Sequence, residues 1–294
     1  MDIDADGDLD VLSGSYTGEV YFFEAHEQGL RQGVALRDHA GALVSGGVSI
    51  TPEALDMDAD GDLDLVIGTR TSGVFWIENQ GTPQQPIWAS KKQPVQTRAG
   101  EQIQGSNAHH ADWDGDGRLD LVLGSEWGGV IWHRNLSPAG APQYGEAAPL
   151  VPRREWTKVV EGSLPAGPGS RTKVHVTDFN GDGRVDLLVG DFQSAIEPLP
   201  PLTGKELAAK QELEPEYEKR RAAYDAQMEV RNQAVRAGKE MTEEQSQAYD
   251  SAREAYLELS RKMSVFDREV YHSHGYVWLY LRKLGSTAAQ APQE

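Results

Sequence analysis

The 294-residue chain contains no cysteine. Disulfides and thiol catalysis are therefore excluded, while the compartment stays open, because secreted proteins also do without cysteine. Basic residues are scarce: 28 Lys and Arg face 46 Asp and Glu, for a formal net charge of −18. No basic stripe is available to track phosphates, which argues against a nucleic-acid partner. No run of apolar residues is long enough to span a bilayer, so no membrane insertion is expected. G-x-S-x-G, H-E-x-x-H and phosphate-cradling loops are also missing, which leaves an enzymatic role without a signature. No export leader is visible after Met1, where acids follow at once; a truncated amino terminus would explain that. With 38% hydrophobic residues and 31 glycines, the composition suits a β-rich core carrying one helical appendage.

What the chain has in quantity is aspartate at fixed spacing. DIDADGDLD at Asp2–Asp10 returns as DMDADGDLD at Asp56–Asp64, DWDGDGRLD at Asp112–Asp120 and DFNGDGRVD at Asp178–Asp186, four copies of D-x-[DN]-x-D-G-x-x-D. Calcium takes roughly six to eight oxygens, and such a loop offers them from alternate positions while glycine at position 6 permits the sharp turn. The expected ligands are Asp2, Asp4, Asp6, Asp8 and Asp10 in copy one, and Asp56, Asp58, Asp60, Asp62 and Asp64 in copy two. Copy three offers Asp112, Asp114, Asp116 and Asp120 with the backbone carbonyl of Arg118; copy four offers Asp178, Asn180, Asp182 and Asp186 with that of Arg184. Up to four Ca²⁺ ions are expected.

An EF-hand needs a bidentate Glu at position 12 and flanking helices. Position 12 is Ser13, Ile67, Leu123 or Val189, so that reading fails. Each loop instead leads into a short apolar run, LDVLSG, LDLVIG, LDLVLG or VDLLVG, which reads as a strand ending on glycine. A second glycine and an aromatic strand follow in GEVYFFE, GVFWIEN and GGVIWHRN. The loops recur after 54, 56 and 66 residues. That period, with several short strands per unit, signals a propeller or an array of small sheets.

In these motifs the chain resembles the FG-GAP or VCBS repeats of integrin-alpha-like β-propellers, over about residues 1–192 and 271–283. The resemblance implies four-stranded blades with calcium between strands one and two on one face, and a protein or glycan ligand on the other. It implies a mainly β fold of four blades over residues 1–200. The family usually has more blades, and the chain starts inside a loop and stops soon after GYVWLYLRK, so part of a longer propeller is expected, with an incomplete four-bladed ring as the alternative. The unpaired edge of blade one would then favour self-association.

Blade four is interrupted. Gly190 to Gly275 spans 85 residues where the other turns need four or five, and GYVWLYLR then resumes the blade within a return segment 268–285. The insert, 201–267, predicts an antiparallel helical hairpin with a coiled-coil-like stripe. Thr203 with Glu206 and Thr242 with Gln245 form capping boxes, and Gly238 closes the first arm. Leu207, Leu213, Tyr217, Tyr224, Met228 and Val235 face Tyr249, Ala252, Tyr256, Leu259, Met263 and Phe266, with a kink expected at Pro215. Residues 286–294 read as a disordered tail. Loop and interrupted turn lie at opposite ends of one strand, so the hairpin is expected on the face opposite the calcium. There, with the turns at residues 15–17, 70–72 and 126–127, it would form or cover the partner surface.

His109 and His175 both lie three residues before a loop's first Asp, where copy two has Glu53. On innermost strands these side chains would face a central channel together, although a structural role accounts for them as well, since geometry rather than count makes a metal site. The leading functional expectation is an extracellular, cell-surface or periplasmic calcium-binding module for adhesion to a protein or glycan. The alternatives are a carbohydrate-active enzyme of the lyase or dehydratase kind, and an architectural spacer.

Overall fold

A computed structural model describes residues 1–155, 157–236 and 241–283. In chain order the strands are β1 (Val11–Gly14), β2 (Val20–Phe23), β3 (Ala25–His26), β4 (Gly29–Leu30), β5 (Val34–Ala35), β6 (Thr51–Leu55), β7 (Asp64–Gly68), β8 (Val74–Asn79), β9 (Trp88–Pro94), β10 (Asn107–Ala111), β11 (Asp120–Gly124), β12 (Val130–Asn135), β13 (Tyr144–Val151), β14 (Val159–Val160), β15 (Ser170–Thr177) and β16 (Asp186–Pro198). The helices α1 (Gly204–Arg236) and α2 (Glu243–Ser264) follow, and then β17 (Glu269–His274) and β18 (Val277–Tyr280).

Two meanders, β6-β7-β8-β9 and β10-β11-β12-β13, are complete four-stranded antiparallel sheets. The second, third and fourth acidic loops join β6 to β7, β10 to β11 and β15 to β16, and the first leads into β1. The first sheet, β1-β2-β5, has three strands and no counterpart of β6 or β10. In the last, β16 pairs with β14, β15, β17 and β18. These are open sheets, and no closed ring is seen among the described residues.

Alternation within the second strands explains how the sheets stack. Leu65 and Ile67 point into a core shared with Val20 of the first sheet and with Val44 and Ile50 between β5 and β6, while Val66 points into the next core with Leu121 and Leu123. Val122 then joins Val174, Leu187 and Val189 in a third. Period-two side chains thus give each middle sheet two apolar faces, and burying both stacks the sheets in chain order. The glycines ending these strands have a matching role. A Cβ on Gly68 would lie 2.9 Å from the amide nitrogen of Ala108, and on Gly14 or Gly124 it would run into the carbonyl of Ile50 or Thr172. Only glycine lets the neighbouring sheet's backbone come so close.

The chain divides into two compact units. The first covers Met1–Val159, Leu164–Ser194 and the segment from Ser273. The second holds Val160–Ser163 and Ala195–His272. In the second unit α1 and α2 form the expected antiparallel pair. Tyr217 meets Tyr256 at 5.8 Å between ring centres, Tyr224 meets Tyr249 at 5.9 Å, and Tyr224 stacks on Tyr256 at 5.1 Å and 4°. Thr242 and Gln245 make a reciprocal capping box, and Thr203 is bonded to the Glu206 carboxylate at 2.7 Å. One expectation is corrected. Leu207 is exposed, because it falls in the first turn of α1, outside the tyrosine seam. Pro215 lies inside α1, which runs over Gly204–Arg236. Gly238 and residues 286–294 lie outside the described residues, as does the side chain of Val235. Leu259 is the buried anchor of α2.

Candidate metal loops

Each acidic loop is a nest of backbone amides closed around its first residue. Asp112 accepts from the N–H groups of Gly115, Asp116 and Gly117 at 2.8, 3.0 and 2.9 Å, and Asp178 does the same for Gly181, Asp182 and Gly183 at 2.8, 3.1 and 2.8 Å. Asp56 accepts from Ala59, Asp60 and Gly61, and Asp2 from Asp6 and Gly7. Position 4 as well as position 6 must then be left-handed. It is Gly115 or Gly181 in two loops, but Ala5 and Ala59 adopt φ of 53° and 67° in the others. An alanine held there is strained.

The ninth-position acids do something the spacing did not reveal. Asp64 accepts from Met57 N–H and Asn79 N–H, both at 2.8 Å. Asp120 accepts from Trp113 at 3.2 Å and Asn135 at 2.7 Å, and Asp10 from Ile3 at 2.9 Å and Ala25 at 2.8 Å. In the fourth loop Asp186 takes Phe179 at 3.2 Å and Arg282 at 2.8 Å. Each therefore ties its loop to the end of the third strand. Arg282 stands where Ala25, Asn79 and Asn135 stand, which shows that β18 resumes the interrupted sheet. The donor is a backbone N–H, which any residue but proline supplies, so the sequence carries no signal of this joint.

Carboxylates gather in three of the loops. One oxygen from each of Asp2, Asp4 and Asp6, of Asp56, Asp58 and Asp64, and of Asp112, Asp114 and Asp120 lies within 4.8 Å of the others in its group. Their state fits a cation. Asp4 Oδ1, Asp62 Oδ1 and Asp114 Oδ1 are buried without a hydrogen-bond partner. Burial, reinforced by neighbouring acids, raises the carboxyls of Asp4, Asp58 and Asp62 above the usual range. Burial also raises Asp120, and pushes Asp64 to about 6 against its two N–H donors. A divalent ion would relieve both the bare oxygens and the crowded charge.

The four loops differ through the strand beside them. Glu24 and Glu78, next to the joint at the end of the third strand, add negative charge near Asp4 and Asp58. Arg134 takes that place in the third loop, binding Asp114 at 2.6 Å and Asp116 at 2.8 Å, and Arg118 also holds Asp116. Burial still raises Asp114, while Arg134 and Arg118 overcome it at Asp116 and lower that carboxyl. In the fourth loop Arg184 binds Asp182 at 2.5 Å, Asn180 donates to Asp182 at 3.1 Å, and Leu281 replaces the glutamate. Among the described residues Asp178, Asp182 and Asp186 form no such group. Arg118 and Arg184 thus act visibly through their guanidinium groups. Asp6 and Asp60, at position 5, accept the N–H of Asp8 and Asp62. Asp10 lies outside the gathered group of its loop.

The acidic loops, the strand that follows each and the stacking of successive sheets together define the repeating unit. The description "FG-GAP-like repeat" matches residues 2–67, 56–123 and 112–189. The chain belongs to the FG-GAP-like repeat family. Each match opens on the first Asp of a loop and runs past the next loop into its strand, so the FG-GAP-like unit spans two neighbouring sheets. The hairpin 203–266 lies beyond the matched residues. No curated protein matches the chain. No helix among the described residues is long and apolar enough to cross a membrane.

A second feature lies at the turns ending the second strands, away from the loops. Trp127 is 69% exposed between two clefts. One, of about 380 Å³, is lined by Arg153, Arg154, Phe192 and Gln193; the other, of about 660 Å³, by Arg70, Gln104, Ser125 and Glu126. Glu126 binds Arg70 at 2.6 Å and Arg171 at 3.3 Å. In the first sheet the equivalent turn exposes Tyr16 to 69%.

Proposed function

We propose that this FG-GAP-like repeat protein is a calcium-loaded, propeller-type binding module that works outside the cell and holds a glycan against Trp127. The observation that carries the reading is the exposed indole set between two clefts that include charged and amide side chains. An aromatic face suits the apolar side of a sugar ring, while Arg153, Gln193, Arg70 and Glu126 offer donors and acceptors to hydroxyls. Calcium suits the oxygen-only donor set of the loops, and extracellular modules bind it at roughly 10⁻⁴ to 10⁻³ M, concentrations found outside cells. The ions would be held by the loop aspartates and would fix the strand ends; their chemistry is charge neutralisation.

The test is a glycan array probed in calcium with the wild type and with Trp127→Ala. Binding of a glycan class by the wild type, lost in the variant, is expected. Equal binding by both, or no glycan bound at all, overturns the glycan assignment. Shortening of a bound polysaccharide during the assay would place the protein among carbohydrate-active enzymes instead.

A further inference from the structure

The strands that lead into the last three acidic loops, β6, β10 and β15, carry Glu53, His109 and His175 at one register position, the third residue before each loop. On β15 the alternation is plain: Val174 and Val176 enter the third core, and His175 lies on the opposite face. The three side chains meet. Glu53 Oε1 lies 3.3 Å from His109 Nδ1, and the rings of His109 and His175 are 4.9 Å apart between centres, tilted by 43°.

The neighbouring His110 shows what a structural histidine looks like here. Its Nδ1 bonds Glu53 Oε2 at 2.7 Å and its Nε2 bonds the Tyr144 hydroxyl at 3.0 Å, so both ring nitrogens are used. His109 is different. Its Nδ1 is on Glu53, but its Nε2 is buried with no partner at all. Simple packing of two rings gives no reason to bury a bare imidazole nitrogen, which is a cost. Metal-ligating histidines have this arrangement: one ring nitrogen on a carboxylate that fixes tautomer and orientation, the other presented to the ion. The ring spacing agrees, because two imidazoles on one tetrahedral ion with ~2.0–2.1 Å bonds have centres roughly 5 Å apart. Burial opposes ionisation of Glu53, yet the hydrogen bonds from His109 and His110 hold its carboxyl at about 2. It is a fixed anion beside the ring.

We propose that His109 and His175, with Glu53 positioning His109, form a binding site for a divalent transition-metal ion of the zinc, cobalt or nickel kind. The site is separate in place and in chemistry from the acidic loops. Nitrogen donors select such ions over calcium, and all-oxygen loops have the opposite preference. Two protein ligands leave the remaining coordination positions to water or to a donor group of a bound molecule.

The experiment is calorimetric titration of Zn²⁺ into protein kept in excess calcium, so that the loops are occupied throughout. The wild type should take up one equivalent. His175→Ala changes an exposed residue, removes no core packing, and should abolish that uptake with an unchanged circular dichroism spectrum. Glu53→Gln should weaken it about 10- to 100-fold, as loss of a carboxylate behind a ligating histidine does. His272→Ala, in the second unit, should leave it unchanged. A folded His175→Ala that binds Zn²⁺ like the wild type, or a wild type that takes up none in calcium, overturns the proposal.

Discussion

Within the first three loops the third-position and ninth-position acids carry different loads, although both are aspartate. Asp120 receives two N–H bonds, from Trp113 and Asn135, and is fully buried. Replacing it by alanine strands both donors, at about 1–3 kcal/mol each. Asp114 has a bare oxygen and a salt bridge to half-exposed Arg134. In chelator, Asp114→Ala should therefore change stability by no more than about 1 kcal/mol. Urea unfolding of both variants, with and without calcium, checks this: Asp120→Ala should be destabilised in either condition, and Asp114→Ala mainly in calcium. Asp64 adds a pH dependence. Its folded carboxyl is raised from 3.8 to about 6, so the folded state holds the proton more tightly than the unfolded chain. That contribution is full below 3.8 and is lost as pH rises through about 6. Metal-free wild type should gain thermal stability relative to Asp64→Asn as pH falls from 7 to 5; parallel curves would contradict it. Glu53, depressed from 4.5 to about 2, acts in the opposite sense and only below that window.

At the scale of elements, the helical hairpin is held by contacts of its own. The hairpin holds itself through the seam of Tyr217, Tyr224, Tyr249 and Tyr256 and through the Thr242 cap. Thr242→Ala should cost about 1 kcal/mol in the helical unit alone. Hydrogen exchange would show the loss confined to α2 and its partner. The interrupted sheet is closed by bonds outside the insert: Leu187–Gly190 pairs with Val277–Tyr280, and Asp186 accepts from Arg282. Deleting residues 203–266 and joining the ends with a short glycine linker should thus leave calcium stoichiometry unchanged while helical circular dichroism falls. Loss of calcium binding on deletion would make the hairpin part of the scaffold.

For the whole molecule the dominant quantity is charge. A net charge of −18 includes 17 loop acids, and without cations these repel one another across short distances. An ion that binds only the folded state stabilises it by about 2.7 kcal/mol per site at a hundredfold excess over Kd. Chelator should lower the melting temperature, and calcium titration should resolve two classes of site. The first two loops have five acids each and a nearby glutamate, so they should fill first. The third, shared with Arg134 and Arg118, and the fourth, with Asn180 and Arg184, should follow. Four identical sites would count against this ranking.

The sequence by itself determined the repeat, the loops, the strand after each loop, the family and the capped helical pair, because all of these are written at short range: fixed spacing, alternation, glycine and capping residues. Tertiary structure decided the rest. That Asp10, Asp64, Asp120 and Asp186 tie loops to strands 15 or more residues away depends on which amide the meander brings near. The load on Arg134, the seclusion of His109 Nε2 and the meeting of Glu53 with His109 and His175 depend on side chains from separate strands. Chain-local spacing holds no record of such neighbours, since sheet stacking, driven by apolar faces such as Val66 and Val122, is what places them together.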